Sequence, residues 1–92
     1  MNRCVHLLIK GKVQGVFYRA SAKKMAESLS VAGWIKNQSS GAVEAIITGE
    51  DKALEEFIDW CKKGPGSAVV REVIVAEGAV LKSREEGFQI IR

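Results

Sequence analysis

The sequence predicts an α+β domain in which an antiparallel sheet of four to five strands carries two helices on one face. Three observations lead there. Apolar residues alternate with others at Val5, Leu7 and Ile9, and again at Val43, Ala45 and Ile47, the period of strands buried on one side. Two other segments, Ala22 to Leu29 and Leu54 to Cys61, repeat at helical spacing. Glycine-bearing breaks separate these runs, so the elements follow in the order β-α-β-β-α-β.

The first strand is expected from Cys4 to Lys10, with Gly11 ending it. From Ser21 to Leu29 a helix turns Ala22, Met25, Ala26 and Leu29 inward and Lys23, Lys24, Glu27 and Ser28 outward. A short strand follows around Trp34 to Lys36. Ser39-Ser40-Gly41 then reads as a hairpin turn, because glycine accepts the positive φ such turns need. Gly49-Glu50-Asp51 supplies acidic and capping residues ahead of the stripe Leu54, Phe57, Ile58 and Cys61, and Gly64-Pro65-Gly66 stops that helix. Val69 to Ala76 is rich in β-branched residues and reads as a strand, Glu77 to Gly87 as a charged loop, and Phe88 to Ile91 as a closing strand. With right-handed crossovers this order selects the ferredoxin-like sandwich, built from split β-α-β units.

A chain of 92 residues is one domain, 1–92, because it buries only roughly 60–65% of its unfolded surface and a second core would be too small to hold. Hydrophobic residues make up 47% and charged ones 27%, with no repeat period and no low-complexity tract, which excludes disorder of the whole chain. The net charge of +3 has its signs interspersed, permitting an anionic partner without demanding one. The run CVHLLI near the start is too short to span a membrane and no small-residue cleavage site follows it, so a soluble, cytoplasmic protein is expected. Cys4 and Cys61, far apart in such a chain, read as free thiols.

The stretch GKVQGVFYR, Gly11 to Arg19, has no place in either periodicity. The topology puts the end of the first strand, the start of the first helix and the end of the second strand at one edge, which makes Arg19 and Asn37 neighbours. Backbone amides leading into a helix N-terminus lack intrahelical acceptors, and Gly15 lets the chain approach a ligand closely. Arg19 adds a planar fork of donors that matches two phosphoryl oxygens. This is not a nucleotide P-loop, since no Gly-Lys-Ser or Gly-Lys-Thr follows. The residues alone leave two readings open: a phosphate cradle, or a loop turn with a surface ion pair.

The sequence resembles the acylphosphatase family. A first signature, Gly-x-Val-x-Gly-Val-x-aromatic-Arg, is met by Gly11, Val13, Gly15, Val16, Tyr18 and Arg19. A second, Gly-aromatic-x-x-Asn with Gly and Val following, is met by Gly33, Trp34, Asn37, Gly41, Val43 and Gly49. Ile35 and Ser40 depart from what is common there, at positions without a chemical role. The resemblance spans nearly the whole chain and implies the same ferredoxin-like fold. It implies a hydrolase of acyl phosphates in which Arg19 holds the phosphate and Asn37 orients the attacking water. Main-chain amides of Gln14, Gly15, Val16, Phe17 and Tyr18 would complete the anion site, with inorganic phosphate or sulfate as a product-like ligand. No metal and no cofactor are implied, and a monomer is expected.

One of Phe17 and Tyr18 is expected to pack on the core while the other faces the acyl group. His6 reads as a strand residue rather than a base, and Trp34, Phe57, Trp60 and Phe88 as packing aromatics. A nucleic-acid-binding module on the same fold would need exposed aromatics on the sheet and a basic-aromatic strand. The third strand instead turns Ala42, Glu44 and Ile46 outward. A domain that binds or processes carbamoyl phosphate within a larger protein is the other reading the resemblance leaves open.

Overall fold

The computed structural model describes residues 2–80 and 87–91. Strands β1 (Asn2–Lys12), β2 (Ala32–Asn37), β3 (Val43–Glu50), β4 (Val69–Glu77) and β5 (Phe88–Ile91) form one sheet in the order β4-β1-β3-β2-β5. Helices α1 (Tyr18–Ser28) and α2 (Asp51–Lys63) pack on the same face of it. This is the ferredoxin-like arrangement expected from the order of periodicities. The core is the layer between sheet and helices. Val5, Leu7, Ile9, Ile35, Ala45 and Ile47 point up from the strands to meet Ala22, Ala26, Leu54, Phe57 and Cys61.

Several boundaries differ from the expected ones for identifiable reasons. Gly11 does not end the first strand, which runs on to Lys12 through a register shift at Lys10 and Gly11. A Cβ at Gly11 would lie 2.1 Å from the Val69 carbonyl oxygen, so this glycine serves the close approach of β4. Helix α1 starts at Tyr18, three residues before the first apolar stripe residue suggested a start. Gly49 and Glu50 end β3, and Glu50 is also the N-cap residue of α2, with Asp51 in the first turn as expected, but the Glu50 side chain makes no capping hydrogen bond.

The sheet is mixed rather than wholly antiparallel, because β5 pairs with β2 in parallel. The chain reverses after β4 and so returns opposite to it. The strand β2 also runs opposite to β4, and β5 therefore meets it in the same direction. Of the charged loop expected between Glu77 and Gly87, residues 81–86 lie outside the described residues.

The face away from the helices carries polar and half-buried side chains. His6 of β1 lies 2.7 Å from the Glu44 carboxylate on β3, and Gln38 donates to the same carboxylate at 3.0 Å. Trp34 shares that face with the Lys36 ammonium 5.5 Å above its ring. Phe57, Trp60 and Phe88 pack as expected on the helix side, with the Phe57 and Phe88 ring centres 5.8 Å apart.

Candidate active site

Strand register brings the two signature segments together. Val43 of β3 faces Ile9 of β1 on one side and Asn37 of β2 on the other. Ile9, three residues before the end of β1, thus stands level with Asn37 at the end of β2, two strand spacings or roughly 10 Å apart. The segment between Lys12 and Tyr18 leaves β1 at this edge and turns into α1.

The turn is made at two positive-φ residues. Gly15 has φ 74° with nothing within 4 Å of where a Cβ would sit, which leaves open space beside the main chain. Phe17, at φ 61° and ψ 22°, is the residue from which α1 departs, and its carbonyl accepts the first helical bond from Ser21 N at 3.0 Å. No side chain caps α1 and no acidic residue lies in its first turn. Its first amides and the positive end of its dipole are accordingly left for an anion.

A cavity of about 270 Å³ opens at this point, lined by Val13, Gly15, Phe17, Tyr18, Arg19, Ala20, Asn37 and Ile90. Arg19 and Asn37, predicted as partners from distant parts of the sequence, share its wall. The Arg19 guanidinium donates through Nη1 to the Ile91 carbonyl at 3.3 Å, a contact that steadies one limb of the fork. The Asn37 Oδ1 is shielded from solvent and, among the described residues, has no hydrogen-bond donor. A buried acceptor in that condition costs about 1–3 kcal/mol until a donor reaches it.

The remaining expected residues divide into two groups. Gly15, Phe17 and Tyr18 line the cavity, while the Gln14 and Val16 side chains point away from it. Val16 is buried in the core. The Gln14 amide nitrogen donates to the Gln38 carbonyl at 2.7 Å and to the Ala42 carbonyl at 2.8 Å. It ties the loop to the β2–β3 turn directly after Asn37, a role for its side chain that the sequence did not suggest.

Tyr18 and Phe17 take opposite positions. Tyr18 is fully buried and its hydroxyl donates to the Cys61 carbonyl of α2 at 2.7 Å. Burial raises the pKa of this phenol, so it stays protonated and remains a donor. Burial also pushes the Cys61 thiol up to about 12, which keeps it neutral at physiological pH. Phe17 is 81% exposed at the cavity's mouth. His6 is not part of the lining.

The lining residues Ala20 and Ile90 were not singled out by sequence, and Val13 was named only as a signature position without a role in the site. Ile90 and the Ile91 carbonyl reach the site only because β5 pairs with β2. A main-chain acceptor leaves no mark in residue identity, so nothing in the sequence pointed to it.

Comparison with known proteins agrees with this fold. The family model described as acylphosphatase matches residues 5–90. A curated acylphosphatase from Syntrophus aciditrophicus is 44% identical over 77 residues, covering 84% of this chain and 80% of that protein. The acylphosphatase structure from Coxiella burnetii superimposes with a TM-score of 0.90 at 38% identity, covering 98% of this chain and 93% of the other. Full-length HypF, solved in a phosphate- and nucleotide-bound form, matches the whole of this chain at 32% identity and TM-score 0.88 over 12% of its own length. No helix among the described residues is long and apolar enough to cross a membrane. With family model, curated relatives and fold in agreement, the chain belongs to the acylphosphatase family, hydrolases that act on acyl phosphates.

Proposed function

We propose that the cavity hydrolyses acyl phosphates by holding the phosphoryl group on Arg19 and aiming a water with Asn37. The observation that carries this reading is the pairing, in one cavity, of an arginine fork with an asparagine oxygen that lacks a donor among the described residues. Arg19 and the amides from Gln14 to Tyr18 take the phosphoryl oxygens, and Asn37 Oδ1 accepts a hydrogen bond from the water. The water oxygen forms a bond to phosphorus while the bond from phosphorus to the carboxyl oxygen breaks. Carboxylate and inorganic phosphate result, with the water's proton passing to the phosphate. A carboxylate leaves readily, so orientation and charge stabilisation are sufficient and no strong base is required.

Among the described residues the lining contains no carboxylate, thiolate or imidazole, a donor set unsuited to holding a metal. We accordingly propose that turnover needs no metal ion, and that one chain suffices because both reacting side chains come from it.

The test is release of inorganic phosphate from benzoyl phosphate and from 4-nitrophenyl phosphate. Turnover of the first far above the second is expected, unaffected by EDTA, with inorganic phosphate competing. Asn37→Ala should lower kcat by about 10²–10³-fold with little change in KM, since it acts on the water at the transition state. Arg19→Gln should damage both parameters, because a charge at the phosphate acts from binding onward. An Asn37→Ala protein with unchanged kcat would remove Asn37 from the reaction.

A further inference from the structure

We propose that Phe17 is the acyl-side contact of this cavity and that it selects acyl phosphates with an aromatic or extended apolar acyl group over short ones such as acetyl phosphate. The inference rests on the reading of the cavity as an acyl phosphate site and names its substrate class.

Three observations carry it. The first is the backbone. Phe17 is one of two non-glycine residues with positive φ among those described, and a bulky aromatic in the left-handed region is an outlier that surrounding structure must impose. That conformation sends Tyr18 into the core and leaves Phe17 outside. The second is exposure, because at 81% the ring gives up nearly all the burial that a phenylalanine would gain elsewhere. It lines the cavity that holds Arg19 and Asn37, so its apolar surface is available to whatever enters there.

The third is the direction of the reaction. Displacement at phosphorus is in line, with the attacking water and the leaving oxygen on opposite sides. Asn37, which orients the water in this reading, is half-buried on the wall formed by β2, whereas Phe17 stands exposed at the rim. The acyl group, opposite the water, therefore projects toward the mouth. A phosphoryl group alone leaves part of the 270 Å³ unfilled, and this volume is just below the roughly 300–1,000 Å³ of pockets for drug-sized ligands. An acetyl group is too short to gain from the ring, whereas a benzoyl group can cover it by edge or offset stacking.

The experiment compares kcat/KM for benzoyl and acetyl phosphate in the wild type, Phe17→Ala, Phe17→Gly and Phe17→Trp. In the wild type the benzoyl-to-acetyl ratio is expected to exceed one by about tenfold, equivalent to about 1.4 kcal/mol. Alanine and glycine should bring the ratio close to one, mainly through a higher KM for benzoyl phosphate, and tryptophan should preserve it. Glycine suits the left-handed backbone, which keeps the test valid should the alanine variant fold poorly. A ratio that is unchanged, or equal losses on both substrates, would overturn the selection by Phe17 while leaving the hydrolase reading intact. A wild type that cleaves neither substrate would sink both.

Discussion

Tyr18 is the residue at which the sequence said more than periodicity alone extracted. Counted from a helix start at Ser21, the inward stripe begins at Ala22. Counted from the observed start at Tyr18, the residues Tyr18, Ala22 and Ala26 lie four apart on one face, and all three are buried. Which of the two aromatics enters the core was therefore decided by a boundary three residues away. The positive φ of Phe17 was not legible, because nothing in a phenylalanine announces a left-handed backbone. This strain gives a stability prediction. Relief of a left-handed β-carbon contributes about 1–2 kcal/mol, and the extra freedom of glycine in the unfolded chain takes back about 0.5–1 kcal/mol. The ring is exposed, so its loss removes little packing. Phe17→Gly should consequently stabilise the protein by about 0.5–1 kcal/mol, read as a higher urea midpoint at unchanged m value. A lower midpoint would mean that the ring contributes packing its exposure does not suggest.

Strands and helices were read correctly in order, since hydrophobic periods, β-branched content and glycine breaks mark them, but the contacts between elements were not. The parallel pairing of β5 with β2 depends on the chain's return across the sheet. The Gln14 tether is a side chain reaching two carbonyls, which no periodicity encodes. The tether links the loop carrying Gly15 and Phe17 to the turn that follows Asn37, and so connects the two halves of the candidate site. Gln14→Ala removes both donors. Gln14→Glu keeps the shape but presents an acceptor to two acceptors. Both variants are expected to lose about tenfold in kcat on benzoyl phosphate, because misplacing a reacting group by a fraction of an ångström weakens orientation. Inhibition by inorganic phosphate, which needs only the Arg19 side of the site, should change less than threefold. Equal losses in kcat and in phosphate affinity would place Gln14 in anion binding instead.

Across the whole molecule, the sheet face opposite the helices is joined by one carboxylate. Glu44 on β3 meets His6 from β1, the Gln38 amide from beyond β2, and the Lys36 ammonium of β2 at 3.8 Å. The hydrogen bond from His6 is the chief cause that holds the Glu44 pKa below its ordinary 4.5, with Gln38 and Lys36 adding to it and partial burial opposing. A carboxyl group whose folded pKa is depressed binds its proton less readily in the native than in the unfolded chain. Its stabilisation is fully present above pH 4.5 and is lost as pH falls through the lower native value. Glu44→Gln retains an acceptor for His6 and Lys36 but cannot titrate. Its deficit relative to the wild type should be largest near neutral pH and shrink as both proteins are taken into the acid range below 4.5. Urea midpoints measured at pH 7, 4.5 and 3 follow this directly. A deficit that stays constant across the three would mean that Glu44 acts through shape alone, and that its charge does nothing to hold β1, β2 and β3 together.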